Sequence, residues 1–144
     1  MAEDKKNDES GITFRELRIH QSYGNALYAV YYVREGGKSK VIDIFKTLEP
    51  DQRDEIKDLI SKMATVKDFK SPKVQYKLND YSYGEIKPKP HRFFFFQKLG
   101  NNYIFFEYRL KKKNSLGDAI YKQIDKKREI YEKEFEAFIS RGRR

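Results

Sequence analysis

NDYSYGEIKPKPHRFFFFQKLGNNYIFFEYRLKKKN, residues Asn79 to Asn114, holds two aromatic runs with cationic residues at one end of each and a short turn between them. Consecutive apolar residues bounded by turn signals read as paired strands, and Leu99-Gly100-Asn101-Asn102 is the tight connection of a hairpin. Folding back at that turn brings the opposite ends together, so Lys87, Lys89, His91 and Arg92 face Arg109, Lys111, Lys112 and Lys113. Such an end suits a polyanion.

Outward from the hairpin, the rest of the chain alternates strand-like and helix-like stretches. Residues 1–11 are polar and mixed in charge and read as a disordered tail. Ile12 to His20 reads as a short strand. Ala26 to Val33, rich in β-branched and aromatic residues, reads as a strand ending at the turn cluster Arg34-Glu35-Gly36-Gly37. Lys40 to Leu48 places Val41, Ile44, Phe45 and Leu48 at helical spacing. Pro50 suits the first turn of a second helix, to Ala64, burying Ile56, Leu59, Ile60 and Met63, with Asp51, Asp54 and Glu55 near its positive end.

Beyond this helical pair, Lys73 to Leu78, Tyr83 to Lys87, Arg92 to Lys98 and Tyr103 to Leu110 read as successive strands, the first followed by an Asn79-Asp80 turn. Pro88 and Pro90 remove two backbone donors where the sheet must bend or end. Ile120, Ile124, Tyr131, Phe135 and Phe138 mark a long last helix, Leu116 to Ile139, before a frayed tail. The expected architecture is α+β: a twisted antiparallel sheet of four or five strands, an N-proximal helical hairpin and a C-terminal helix, with the helices on one side of the sheet. Residues 12–144 form one domain, as 144 residues suggest.

Composition narrows the chemistry. With no cysteine and only His20 and His91, the chain has no disulfide framework, no thiolate nucleophile and no histidine set for zinc, so neither a metal nor another cofactor is expected. No apolar run is long enough to span a bilayer, and a soluble, cytoplasmic protein without membrane contact is expected. The net charge of +9 is unevenly spread. Residues 1–65 carry 11 Lys and Arg against 12 Asp and Glu, whereas residues 66–144 carry 20 against 10. A localised excess points to phosphate or an acidic partner, the plain alternative being a solvated basic surface.

Four segments together carry a family resemblance: Val41-Ile42-Asp43-Ile44-Phe45 to Leu48, Tyr83-Gly84-Glu85-Ile86-Lys87, His91-Arg92 before Phe93 to Phe96, and Phe106 to Lys112 ahead of Asn114. Their order and spacing over Ala26 to Phe138 resemble the RelE/ParE superfamily of bacterial toxins, and within it the HigB and phage Gp49-like branch. The resemblance implies a RelE-like toxin of a type II toxin-antitoxin system, a ribosome-dependent endoribonuclease that cleaves mRNA by attack of the ribose 2′-hydroxyl on the adjacent phosphate. It implies a cognate antitoxin as partner, with mRNA and ribosomal RNA as targets, and assembly as a homodimer or as a heterotetramer with the antitoxin.

By position, Lys87, Arg92, Lys111 and Lys112 match the family's catalytic basic residues. Lys89, His91, Tyr108, Arg109 and Lys113 are expected to bind RNA. Such chemistry needs a base for the 2′-hydroxyl, cations for the phosphoryl oxygens and an acid for the departing 5′-oxygen. Mutual crowding of the cations would fit a lysine as the base. Arg92 offers a forked guanidinium for two phosphate oxygens. Tyr108 either stacks on a base or packs, and His91 either carries protons or caps the strand. Lys87 stands where the branch commonly has arginine, and Glu107-Tyr108-Arg109 stands where His-Gly-Phe is usual. Two other readings therefore stay open: a ParE-like gyrase-inhibiting toxin, and a noncatalytic RelE-fold module that binds nucleic acid or protein. Phe93 to Phe96 and Ile104 to Phe106 are expected to be core.

Overall fold

The computed structural model describes residues 11–19, 24–78, 80–111 and 117–142. His20, Asn79, Lys112 and Lys113 lie outside them, as does almost all of the expected N-terminal tail. The elements run β1 (Ile12–Glu16), β2 (Ala29–Glu35), α1 (Lys40–Thr47), α2 (Pro50–Thr65), β3 (Val74–Gln75), β4 (Gly84–Ile86), β5 (His91–Lys98), β6 (Asn102–Leu110) and α3 (Asp118–Ser140). The strands form one sheet in the order β1-β2-β6-β5-β4-β3.

The class is α+β, but the sheet has six strands rather than four or five. It is also mixed, because β2 pairs with β6 in parallel while the other neighbours are antiparallel. The two early helices follow a pair of strands, with only Leu48 and Glu49 between them. Local chemistry sets their starts. The Ser39 hydroxyl accepts from the Ile42 amide at the head of α1, and Pro50 opens α2, where its missing N–H costs nothing.

The helices do not gather on one side. Val41, Leu48, Ile56, Leu59, Met63 and Ala64 of α1, α2 and their junction pack with Phe93, Phe95, Tyr103, Phe105 and Tyr108. On the other face, Ile124, Tyr131, Phe135 and Phe138 of α3 pack with Phe94, Phe96, Ile104 and Phe106. The reason lies in the aromatic runs. Successive strand residues point to opposite faces, so an uninterrupted apolar run on central strands must be covered twice. Phe93, Phe94, Phe95 and Phe96 are all at most 2% exposed. Edge-to-face rings, such as Phe14 and Phe135 with centroids 5.1 Å apart, fill the layer under α3.

A single irregularity in β6 fixes which side chains share a face. Phe94 lies opposite Glu107 and Phe95 opposite Phe105, so Phe106 has no partner of its own and β6 bulges there. The extra residue sets Phe106 and Glu107 both on the α3 face and restores Tyr108 to the face under α1 and α2. Arg109 then shares the α3 face with Arg92, its cross-strand partner.

At the other end of the sheet, the expected strand over Lys73 to Leu78 shortens to Val74 and Gln75. The Leu78 amide instead donates to the Tyr83 carbonyl, closing a turn. Gly84 is required at this crossing. A Cβ there would stand 2.3 Å from the Gln75 carbonyl oxygen and 2.5 Å from that of Tyr76. Because those atoms are backbone, β3 would have to move. Gly84→Ala is expected to lower unfolding stability by about 1–3 kcal/mol, as overpacking does, measured by urea denaturation. An unchanged midpoint would contradict the close approach.

Candidate functional site

The ends of β4, β5 and β6 meet where the sequence places its cations. β4 ends at Ile86 and is followed by Lys87, whose amide donates to the Lys73 carbonyl; the Lys111 amide donates to the Pro90 carbonyl, holding the end of β6 against the turn before β5. Lys89 is exposed on that turn, joined to Pro90 by a cis peptide.

The expected residues divide between the two faces. Arg92 and Arg109 lie side by side across β5 and β6 on the α3 face. His91 and Tyr108 lie on the opposite face, under α2. There the His91 Nδ1 is 2.7 Å from the Tyr108 hydroxyl and its Nε2 is 3.3 Å from the Gln52 side-chain nitrogen. The amide can only donate, so the imidazole Nε2 accepts and its Nδ1–H donates to Tyr108. Burial lowers the His91 pKa and raises that of Tyr108, so both stay neutral. Their ties run inward to α2: Gln52 also accepts from the Glu49 amide at the helix start. The arrangement separates His91 and Tyr108, expected as RNA contacts, from the two arginines.

Arg92 is not a free surface cation. Its side chain is 8% exposed and faces Glu85 of β4, 6% exposed, with Nε 3.8 Å from the carboxylate Oε1. That distance gives attraction without a hydrogen bond, and among the described residues neither atom has a hydrogen-bond partner. An orphaned buried polar atom costs about 1–3 kcal/mol. The Arg92 Nη1 group donates to the His91 carbonyl. Burial raises the Glu85 pKa, against the pull of Arg92 and then of Lys87 and Lys111. The cations expected to crowd one another thus surround a buried carboxyl.

Glu107, placed by the bulge, is the opposite case. Its oxygens accept from Lys40 and Lys127 at 2.8 Å each, from the Tyr108 amide at 2.9 Å and from Arg109 at 3.3 Å. Burial pulls its pKa up, but the hydrogen bonds from Lys127, Lys40 and the Tyr108 amide outweigh it and hold the carboxyl below its ordinary 4.5. It joins α1, β6 and α3 and neutralises part of Arg109.

Neither Glu85 nor Glu107 is a site residue on the reading of the sequence. The signal for Glu85 is a carboxylate alternating with Ile86 in a strand next to the phenylalanine run. For Glu107 there is none, because strict alternation gives it the wrong face. Elsewhere, Leu17, Ile19, Phe45 and Ile60 line an apolar recess beside the sheet, with Arg18 and Lys57 at its edge. It lacks the convergent polar groups that phosphate chemistry needs. Among the described residues no group of three His, Asp or Glu side chains is placed to hold a metal, and no helix is long and apolar enough to cross a membrane. No family model, no curated protein and no solved structure matches the chain.

Because the folded pKa of Glu107 is depressed, its contribution to stability is present above the ordinary 4.5 and is lost as pH falls through the lowered value. Glu107→Gln is expected to destabilise by about 3–5 kcal/mol at neutral pH, since it breaks a buried charge set. It should also flatten the acid limb of a stability–pH curve. A variant whose acid limb matches that of the wild type would show that Glu107 is not what acid titrates.

Proposed function

We propose that the chain is a toxin of the RelE type that cuts translated mRNA on the ribosome, in the HigB and phage Gp49-like manner, and is restrained by a cognate antitoxin. The observation that supports it is convergence. Two stretches of the chain, Lys87 to Arg92 and Arg109 to Lys111, come together around one corner of the sheet, with the two arginines as direct cross-strand partners. Like charges placed opposite each other are unfavourable in a sheet. Glu85 and Glu107 offset part of that repulsion, and a bound phosphate would offset more of it.

In this reading Arg92 and Arg109 bind phosphoryl oxygens, and Lys87 and Lys111 offset the charge that grows as the 2′-oxygen attacks. Lys89, exposed beside them, contacts the RNA backbone. Binding weakens steeply with salt, because each phosphate neutralised releases condensed counterions. A second reading, a noncatalytic module or a gyrase-directed relative with the same fold, is favoured by one fact: Glu85 and Glu107 already offset much of the arginine charge.

Both are separated by adding the purified chain to a reconstituted translation system. Cleavage of the translated message, leaving a 2′,3′-cyclic phosphate, is the expected result. Arg92→Lys, which keeps the charge opposite Glu85 but loses the fork, should slow it by about 10²–10³, the usual loss for one oxyanion donor, with unfolding little changed. Intact mRNA with a folded wild-type chain would contradict the proposal.

A further inference from the structure

We propose that the recess between α1, α2 and the segment after β1 is a binding site for a small amphipathic anion, an aliphatic carboxylate of medium length. The assignment goes beyond the nuclease reading and does not depend on it. The recess lies on the face under α1 and α2, whereas the paired arginines lie on the α3 face.

Three observations carry it. The first is shape. Leu17, Ile19, Phe45 and Ile60, all half-buried, wall a recess of about 200 Å³ whose floor is Ile86 and Phe93, at most 2% exposed. An apolar cavity of about 150 Å³ already takes benzene, so the space is that of one small molecule. A stable protein interface needs about 800 Å² from each partner, which a recess of this size does not supply. The second is charge. Arg18 and Lys57 line the same recess, both are exposed, and among the described residues neither forms an ion pair. Asp58, next to Lys57 in sequence, pairs with Lys62 instead. No acidic side chain is among the described residues of the lining. Long cationic side chains lay their stems on apolar surface and keep their heads in water, which puts both charges at the mouth. The third is a hydroxyl. Ser61 lines the recess at 6% exposure, one turn along α2 from Lys57, and its side chain makes no hydrogen bond among the described residues. Its oxygen is not one of the sealed side-chain atoms, so a ligand can reach it.

These features together select the ligand. A cation is repelled at the mouth, a compact polar anion leaves the apolar wall wet, and a neutral hydrocarbon leaves both cations unmet. An aliphatic carboxylate meets every feature. Its chain lies against Ile60 and Phe93, its oxygens accept from Arg18 and Lys57, and the Ser61 hydroxyl donates from the wall beside Lys57.

The test is a titration of the full chain, labelled at its isoleucine methyl groups for NMR, with octanoate, hexanoate and octylammonium, each below its aggregation concentration. Octanoate should bind saturably and move the Ile19, Ile60 and Ile86 signals, while those of Ile120 and Ile124 on the α3 face stay in place. Hexanoate should bind about tenfold more weakly for its two missing methylenes, and octylammonium should not bind. Arg18→Glu combined with Lys57→Glu changes only exposed positions and should weaken octanoate about tenfold, with the urea midpoint as the check on folding. Octylammonium binding as tightly as octanoate, or octanoate binding equally well to the folded double variant, would overturn the proposal. So would octanoate that leaves the three isoleucine signals unmoved; if an acidic amphipathic peptide moves them instead, the occupant is a protein segment. None of these results touches the nuclease reading, which mRNA cleavage tests separately.

Discussion

The rest of the structure depends on the two-sided burial of β5 and β6. Their aromatic runs leave no face of the central sheet for water, so helices must lie on both sides. Ordinary alternation, polar out and apolar in, would have allowed the single helical layer that the element order suggests. The parallel β2–β6 pair belongs to the same solution. It sets β6 between two partners and leaves only its last residues, from Phe106 on, beyond the reach of β2.

The two buried carboxyls of the sheet show how differently a buried charge can be met. Glu107 collects bonds from two lysines, an arginine and an amide, each favouring the charged form, and its pKa falls despite near-complete burial. Glu85 has one arginine at a distance too long for a hydrogen bond, and there burial wins. Two glutamates on the same face of one sheet are thus driven in opposite directions by the number of bonds their oxygens receive. One fastens α1 and α3 to the sheet; the other faces Arg92 across the sheet.

The parts of the fold legible in the sequence are those set by local chemistry. Helical spacing, with Pro50 at the second start, marks α1 and α2 to within a residue, and Gly100 between the aromatic runs marks the β5–β6 turn, where Leu99 and Gly100 both take positive φ. What escapes a reading of the sequence depends on distant partners. β3 keeps two residues because a turn bond takes the Leu78 amide, and the strand expected over Ala26 to Val33 begins only at Ala29, since the Leu27 and Tyr28 amides go to the Ala64 carbonyl. The gathering of cations at one corner is legible, since a hairpin must bring its ends together. Their division between faces is not: the unpaired Phe106 moves Glu107 onto the α3 face, and nothing in that stretch of sequence announces the extra residue. The burial of Arg92 opposite Glu85 is likewise a matter of pairing between β4 and β5, with Gly84 allowing β3 to close in beside them.

The central claim is that these converging side chains form a grip for one ribose-phosphate step on the α3 face of the sheet. A crystal structure of the chain with a short RNA carrying a single 2′-deoxy sugar at the scissile position tests it most directly. The account places the scissile phosphate at the corner where Arg92 and Arg109 pair, with Lys87 and Lys111 within reach. A phosphate bound instead on the His91 and Tyr108 face, or along the outer surface of α1 and α2, would contradict it.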